Sequence, residues 1–485
     1  MGKFSQSRRR FLGTASTLAA GAFSAPNLLL RGQDTAGKRL NLAVIGANGK
    51  GTADTKAVTL EHNIVALVDV DSKRLDEAAK VREKYHLDSG VEAPKAPKLY
   101  KDFRKMFDEM ANEIDGVIVS TPDHTHYVAA MHAIKHGKHV AVQKPLCNYI
   151  GEVRNLHKAA KDAGIVTQMG NQGRTMDGQR NAKEWIEQGA IGELQEIRLW
   201  TNRPIWPQGP FGKTPAEQPA NLDWDLWLSS EPSEPYWEMD MPEGAKPWKG
   251  NKSIHPFSWR GWWPYGSGAL GDMGCHIMDA TFSILGQLIP EKIEAESSPI
   301  SSTCAPAWSR LVYHMPAGRH KALKVTWHDG SLPDGTPNKP ERPELMSSDL
   351  AKKAWDRASS GMAFIGTDGV VFEGEAYCAS PVIYPEDKFL ETRLAMKAGE
   401  IKQTEKRSVM PNNPQGEWAY HIVNGGLPSS NFDYSCPLTE FVLLGNLAVR
   451  SQATVQWDKE NMSVPNVEAA NQYITRPSYR EGWAV

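Results

Sequence analysis

The sequence predicts an α/β protein: a doubly wound parallel sheet over residues 39–168, then an α+β half over residues 169–485. Three observations carry this. Leu40–Ile45 is a largely apolar run, as in a strand buried on both faces of a parallel sheet, and it leads straight into Gly46-Ala47-Asn48-Gly49-Lys50-Gly51. A second apolar run, Ile64–Val68, ends in the carboxylate of Asp69. Beyond residue 169, short strand-like runs dominate in place of the strand–helix alternation.

Between the first two strands, Thr52–Glu61 reads as a helix, which completes the order strand, glycine turn, helix, strand, acid of a Rossmann unit. Gly46, Asn48, Gly49 and Gly51 are therefore the candidates for holding a dinucleotide pyrophosphate. Asn48 occupies the position of the middle glycine, and asparagine tolerates left-handed φ better than other non-glycine residues. Asp69 follows Gly51 at close to the ~20-residue interval of the ribose-binding acid. It would accept hydrogen bonds from both ribose hydroxyls and repel a 2′-phosphate, which favours NAD over NADP, although Lys73 and Arg74 lie close enough to blur the preference.

The alternation continues through a charged helix at Ser72–Tyr85 and a strand at Gly116–Ser120. The strand stops at Thr121-Pro122-Asp123-His124-Thr125-His126, and a helix then runs to His136. The strand His139–Gln143 stops at Lys144-Pro145. Ligands of open α/β sheets bind at the carboxyl ends of strands, so Thr121, Pro122, His126 and Lys144 join the cofactor-binding candidates. His132 and His136 have a chelating i,i+4 spacing but no third ligand nearby, and no metal is expected.

Gln168–Arg174 marks the crossover, and a helix is expected over Met176–Gln188. Strand-like runs follow at Gln195–Thr201, Leu311–His314, Ala322–Trp327 and Gly369–Glu373, and an apolar helix at Pro437–Ser451. Residues 202–262 are rich in proline and tryptophan, lack periodicity and are too long for an ordinary connection, as befits a functional insertion or interface arm. Nine of the sixteen tryptophans fall between Trp200 and Trp263; they either stack on the apolar faces of sugar rings or fill a loop-rich core. In Trp262–Asp279 three glycines precede a short helix expected to start at Asp272. Asp272 and His276, four apart, would project from one face of it. An N-cap aspartate beside a buried histidine is the ordinary account of such a pair. Joined to Lys144, it suits proton transfer, with His276 as general base because its pKa lies nearest neutrality.

The segments GANGKG, ALVDVD, STPDHTHYVAAMHAIKHGKHVAVQKPL and GALGDMGCHIMD, spread over residues 40–280, together resemble the glucose–fructose oxidoreductase, inositol dehydrogenase and rhizopine-catabolism (Gfo/Idh/MocA) family. The resemblance implies a second domain with a largely antiparallel open sheet covering the cofactor. It also implies that Lys144 contacts substrate and nicotinamide ribose, with Asp272 and His276 completing the catalytic set. The family's Glu-Lys-Pro signature stands here as Gln143-Lys144-Pro145, an amide replacing the acid. Arg174, His255, Trp262 and Trp263 are further candidates for substrate contact. The expected activity is hydride transfer between a sugar or polyol hydroxyl and tightly bound NAD. The alternatives are redox-neutral cleavage or conversion of a glycoside, and sugar binding without catalysis.

Hydrophobic content of 40% and charged content of 23% are ordinary for a globular chain, and a net charge of −2 gives no electrostatic case for nucleic acid or a membrane surface. Five cysteines without a CxxC pair argue against a metal knuckle or disulfide framework. Ser7-Arg8-Arg9-Arg10-Phe11-Leu12-Gly13, followed by a weakly apolar run to Ala25, resembles a twin-arginine signal, with residues 1–36 as signal and linker. It implies a periplasmic protein exported already folded, with cofactor in place. No membrane span is expected in the mature chain, and a homo-oligomer is.

Overall fold

A computed structural model describes residues 39–242 and 245–485; the export-like segment lies outside the described residues. The first half runs β1 (Asn41–Ile45), α1 (Lys50–Val58), β2 (Asn63–Val68), α2 (Ser72–Asp88), β3 (Lys98–Tyr100), α3 (Phe103–Met110), β4 (Gly116–Val119), α4 (Asp123–Lys135), β5 (His139–Val142), α5 (Ile150–Ala163) and β6 (Thr167–Met169). All pairings are parallel, in the order β3-β2-β1-β4-β5-β6. β4 is buried along its whole length, as its apolar run requires with helices on both sheet faces. The order reverses between β1 and β4, which opens a crevice at their carboxyl ends.

The second half begins with α6 (Asp177–Glu187) and β7 (Leu194–Thr201), then enters the insertion with β8 (Gly212–Pro215), α7 (Trp224–Leu228) and β9 (Trp237–Asp240). Next come α8 (Gly268–Ile284), β10 (Lys292–Ser297), β11 (Trp308–Met315), β12 (Leu323–Gly330), α9 (Asp349–Arg357), β13 (Gly361–Gly366), β14 (Val370–Glu373), β15 (Val382–Tyr384), α10 (Glu386–Ala398), α11 (Pro414–Asn424), α12 (Phe432–Ser451) and β16 (Val455–Gln456). The eight-stranded sheet has the order β15-β14-β13-β7-β12-β11-β10-β16 and is antiparallel except where β12 pairs with β7. Strand alternation puts Leu311, Tyr313, Val325 and Trp327 on a face buried against α8 and α12, where Tyr313 meets Phe441 edge-on at 5.1 Å. Among the described residues, no helix is long and apolar enough to cross a membrane.

The insertion has a core of its own. Trp224, Trp227, Trp237, Trp259, Trp262, Tyr236 and Tyr265 form one buried cluster, with Trp224 and Trp227 stacked at 4.8 Å. Trp262 is 1% exposed and packs on Trp237; Trp263 is 5% exposed with Arg450 over its ring. Neither reaches the main cleft, which corrects the expectation that they wall a sugar pocket. Helix α8 also departs from its expected start. It begins at Gly268, so Asp272 is no cap but lies in the second turn. Ala269 and Leu270 are buried, and that packing draws the glycine-rich segment into the helix. All five cysteines are buried and free.

Candidate active site

A cleft of about 340 Å³ lies between the two halves. One wall is the β1–α1 turn. Gly46 has φ +80°, and a Cβ there would lie 2.7 Å from the backbone of Ser120. A Cβ on Gly51 would lie 1.9 Å from the Gly46 carbonyl oxygen, so only glycine lets α1 start this close to the turn. That start has no side-chain cap and no acidic residue in its first turn, which leaves amide donors and a positive dipole end for a phosphate. Asn48 spans the turn, its Oδ1 accepting from the Gly49 amide and its Nδ2 donating 3.0 Å to the Arg74 carbonyl.

At the end of β2, Asp69 accepts from the backbone amides of Asp71 (3.1 Å) and Asn48 (3.3 Å). Burial pushes its carboxyl above the usual range, partly offset by the Asp71 amide and by His255. Phe103, Arg74 and Trp483 line this end of the cleft, while Thr121, Pro122 and Lys144 line the ends of β4 and β5. The donor set fits a dinucleotide: uncapped amides for a pyrophosphate, a carboxylate for ribose hydroxyls and aromatic rings for a base.

At the other end, Lys144 Nζ donates to Asp272 Oδ1 at 2.9 Å and to the Asp272 carbonyl at 2.8 Å, joining β5 to α8 across the domain boundary. Arg260 Nε, from the insertion, donates to the same Oδ1 at 3.1 Å while its guanidinium packs on Trp259 and Phe257. Burial favours a neutral Asp272, but Lys144 and Arg260 outweigh it and hold the carboxyl well below the carboxylate range. Nearby Asp123 accepts from Ser267 Oγ at 2.6 Å, and burial pushes its carboxyl up to about 7.

His276 sits one turn beyond Asp272, 4% exposed and edge-on to Tyr377 at 5.0 Å, and it does not line the cleft. Burial and the Lys144 charge hold its imidazole uncharged. Nδ1 has no hydrogen-bond partner among the described residues. His126 also stays out of the cleft: its ring nitrogens face the carbonyls of Pro145 (2.8 Å) and Thr121 (2.9 Å), bracing the two strand-end turns. Arg174 lies elsewhere, bonded to Ser283 Oγ and the Ser429 carbonyl with Tyr434 beneath it, so it ties α8 to the segment before α12. His255 does line the cleft, but beside the Asp69 end, where Nε2 meets Asp71 Oδ2 at 3.2 Å. His132 packs edge-on against Phe103 and His136 stacks on Phe107; no metal-holding group of three His, Cys, Asp or Glu occurs among the described residues. Arg260 and Trp483 escaped the sequence reading, and the cleft-lining Trp227, Trp248 and Trp259 were not told apart there from the other tryptophans of the insertion. The available signal was the run Trp259-Arg260-Gly261-Trp262-Trp263, a lone cation among indoles within the insertion.

Comparison with known proteins agrees with this architecture. A family model described as "Oxidoreductase family, NAD-binding Rossmann fold" matches residues 40–171, and its companion, "Oxidoreductase family, C-terminal alpha/beta domain", matches residues 203–331. Levoglucosan dehydrogenase of Pseudarthrobacter phenanthrenivorans is 28% identical over 186 residues, 38% of this chain and 36% of that one. Myo-inositol 2-dehydrogenase of Thermotoga maritima is 26% identical over 168 residues, 35% of this chain and 47% of that one. The chain thus spans less than half the length of these curated relatives. Among solved structures, a levoglucosan dehydrogenase complex with NADH superposes with a TM-score of 0.53 at 17% identity, covering 86% of this chain and 99% of that one. The WlbA dehydrogenase of Bordetella pertussis with NADH and UDP-GlcNAcA gives 0.53 at 13%, covering 87% and 99%. At these identities the structural likeness speaks to the fold.

Proposed function

The chain belongs to the Gfo/Idh/MocA oxidoreductase family, and from that premise we propose that it transfers hydride between a sugar or polyol hydroxyl and NAD held in the interdomain cleft. The observation that carries this reading is the Lys144–Asp272 ion pair, formed across the domain boundary in the cleft that also holds the glycine turn and Asp69. Bound nicotinamide supplies the hydride acceptor. Gly46, Asn48, Gly49 and the start of α1 hold the pyrophosphate, with Gly51 letting α1 approach, and Asp69 takes the ribose hydroxyls. Lys144 and Arg260 present cationic donors to the substrate oxygen as it gains negative charge. Asp272 fixes both cations; His276, uncharged and one turn along the same helix, lies outside the cleft lining, so its role as acceptor of the hydroxyl proton requires the ring to turn towards the bound substrate. Trp248 and Trp259 give the sugar's C–H faces an apolar wall.

The test is mass spectrometry of nucleotide released from purified protein, followed by a sugar and polyol panel read at the nicotinamide absorbance band. Lys144→Ala and His276→Ala should each abolish turnover while retaining nucleotide; unchanged turnover would sink the assignment.

One feature favours a redox-neutral variant of the same chemistry. Insertion residues Trp227, Trp248 and His255, together with Trp483, share the cleft's lining with the nucleotide turn, an arrangement suited to a cofactor retained between turnovers. New products without net NADH absorbance would identify that variant. The export-like segment supports a periplasmic location, read by fractionation. The half-buried outer face of the large sheet, with Arg198, Val312 and Thr326, supports a homo-oligomer, read by light scattering.

A further inference from the structure

The residue before Lys144 has a partner that the Gln-Lys-Pro sequence does not reveal. Gln143 Nε2 donates at 2.8 Å to Oδ2 of Asp54, a fully buried carboxylate on α1. Ser120 Oγ, just past the end of β4, donates to the same oxygen at 2.7 Å, and Lys50, in the cofactor turn, pairs with Oδ1. Three carboxyl-terminal strand ends are thus tied to one carboxylate: the turn after β1, the end of β4 and the end of β5. Gly170 makes room for this amide, since a Cβ there would lie 2.3 Å from Gln143 Nε2. A buried carboxylate with one cation and two neutral donors is well satisfied, and losing it would leave the part-exposed Lys50 ammonium unpaired and a buried amide short of an acceptor.

Resting on the functional reading above, we propose that Asp54 is a positioning residue. It supplies the carboxylate that position 143 lacks, and couples the nucleotide-binding turn, through Lys50 and Gln143, to the placement of Lys144. The two arms of the network predict different losses. Gln143→Met cuts the arm to Lys144 and leaves Lys50–Asp54 intact. It should lower kcat about tenfold or more, with the substrate KM and the NADH dissociation constant within about threefold of the parent. Asp54→Asn removes the charge that both arms share and should lower kcat by a similar factor while also weakening NADH binding several-fold.

Gln143→Glu should resemble Asp54→Asn, because it sets two buried carboxylates side by side. The exchange Asp54→Asn/Gln143→Glu rebuilds one carboxylate–amide pair with roles reversed, and should return kcat to within about threefold of the parent. The measurements are steady-state kinetics for turnover and NADH fluorescence titration for binding, with thermal melts confirming that each variant is folded. Parent-like kcat in Gln143→Met, parent-like NADH affinity in Asp54→Asn, or a double variant no better than the worse single one would overturn the coupling. A parent that oxidises nothing in the sugar and polyol panel overturns the functional reading instead. The titration needs no turnover and still decides the cofactor arm of the proposal.

Discussion

At the scale of single residues, the charges on one oxygen organise the site. Lys144 and Arg260 both reach Asp272 Oδ1, so the carboxylate is shared between a strand end and the insertion. Arg260→Ala leaves Lys144 as the carboxylate's sole cationic partner among the described residues and removes a donor from the cleft. Turnover is expected to fall about 10–100-fold with nucleotide content unchanged, as read by steady-state kinetics and released nucleotide. Lys144 and Asp69 were legible in the sequence because backbone order places them: each follows a buried strand whose end lies at the crevice. Arg260 was not, since nothing periodic in residues 202–262 indicates which side chain an irregular segment turns inward. His126 and Arg174 were misassigned for a related reason. Polar residues beside strand ends and crossovers also serve to satisfy buried carbonyls, and sequence does not separate the two tasks.

At the scale of elements, the β1–α1 turn is the tightest constraint. Gly51→Ala sets a methyl group 1.9 Å from the Gly46 carbonyl, so the helix must move off the turn. The expected result is a loss of about 2–4 kcal/mol in urea denaturation together with nucleotide-free protein. In the parallel sheet β1, β2, β4 and β5 were legible to within a few residues because they are apolar runs, whereas the short β3 (Lys98–Tyr100) and β6 (Thr167–Met169) have no such run and were not. Of the second sheet, β7, β11, β12 and β14 were legible individually, but β10, β13, β15 and β16 were not, and neither was the pairing: β7 lies between β12 and β13, partners more than a hundred residues away. Helix α8 was placed late because Gly266, Gly268 and Gly271 mask its first turn, although tertiary packing makes it helical. Most of the tryptophans resolved in favour of a core, since an insertion without periodic elements must still bury apolar area, and indoles bury the most per residue, while Trp227, Trp248 and Trp259 also line the cleft.

At the scale of the whole molecule, protonation and chain closure set the limits. Burial holds His62, His126 and His328 down to about 4 and His124 down to about 3. Each has a folded pKa below its unfolded value, so the unfolded chain binds more protons, and stability is lost as pH falls from about 6.5 towards 4. Asp123 and Asp329, raised to about 7 and about 6, oppose part of this loss, because their folded forms keep protons that the unfolded chain releases above about 4. The urea midpoint should therefore peak above pH 6.5 and fall on the acid side, with net proton uptake on unfolding. The two halves are further locked by Arg476, buried against Glu152 of α5 and Glu231 of the insertion, with Arg480 reaching Asp225. Arg476→Met strands two buried carboxylates and should cost about 3–5 kcal/mol in urea denaturation. It should also speed nucleotide dissociation in stopped-flow displacement, because Trp483, a few residues on, closes the Asp69 end of the cleft. That closure orders events during biosynthesis. The first wall of the nucleotide site leaves the ribosome with Gly46 and the last with Trp483, so a nascent chain cannot hold its cofactor firmly before Trp483 has emerged. Nucleotide content in a purified sample is thus a gauge of completed folding, and chains truncated before Arg476 should purify empty.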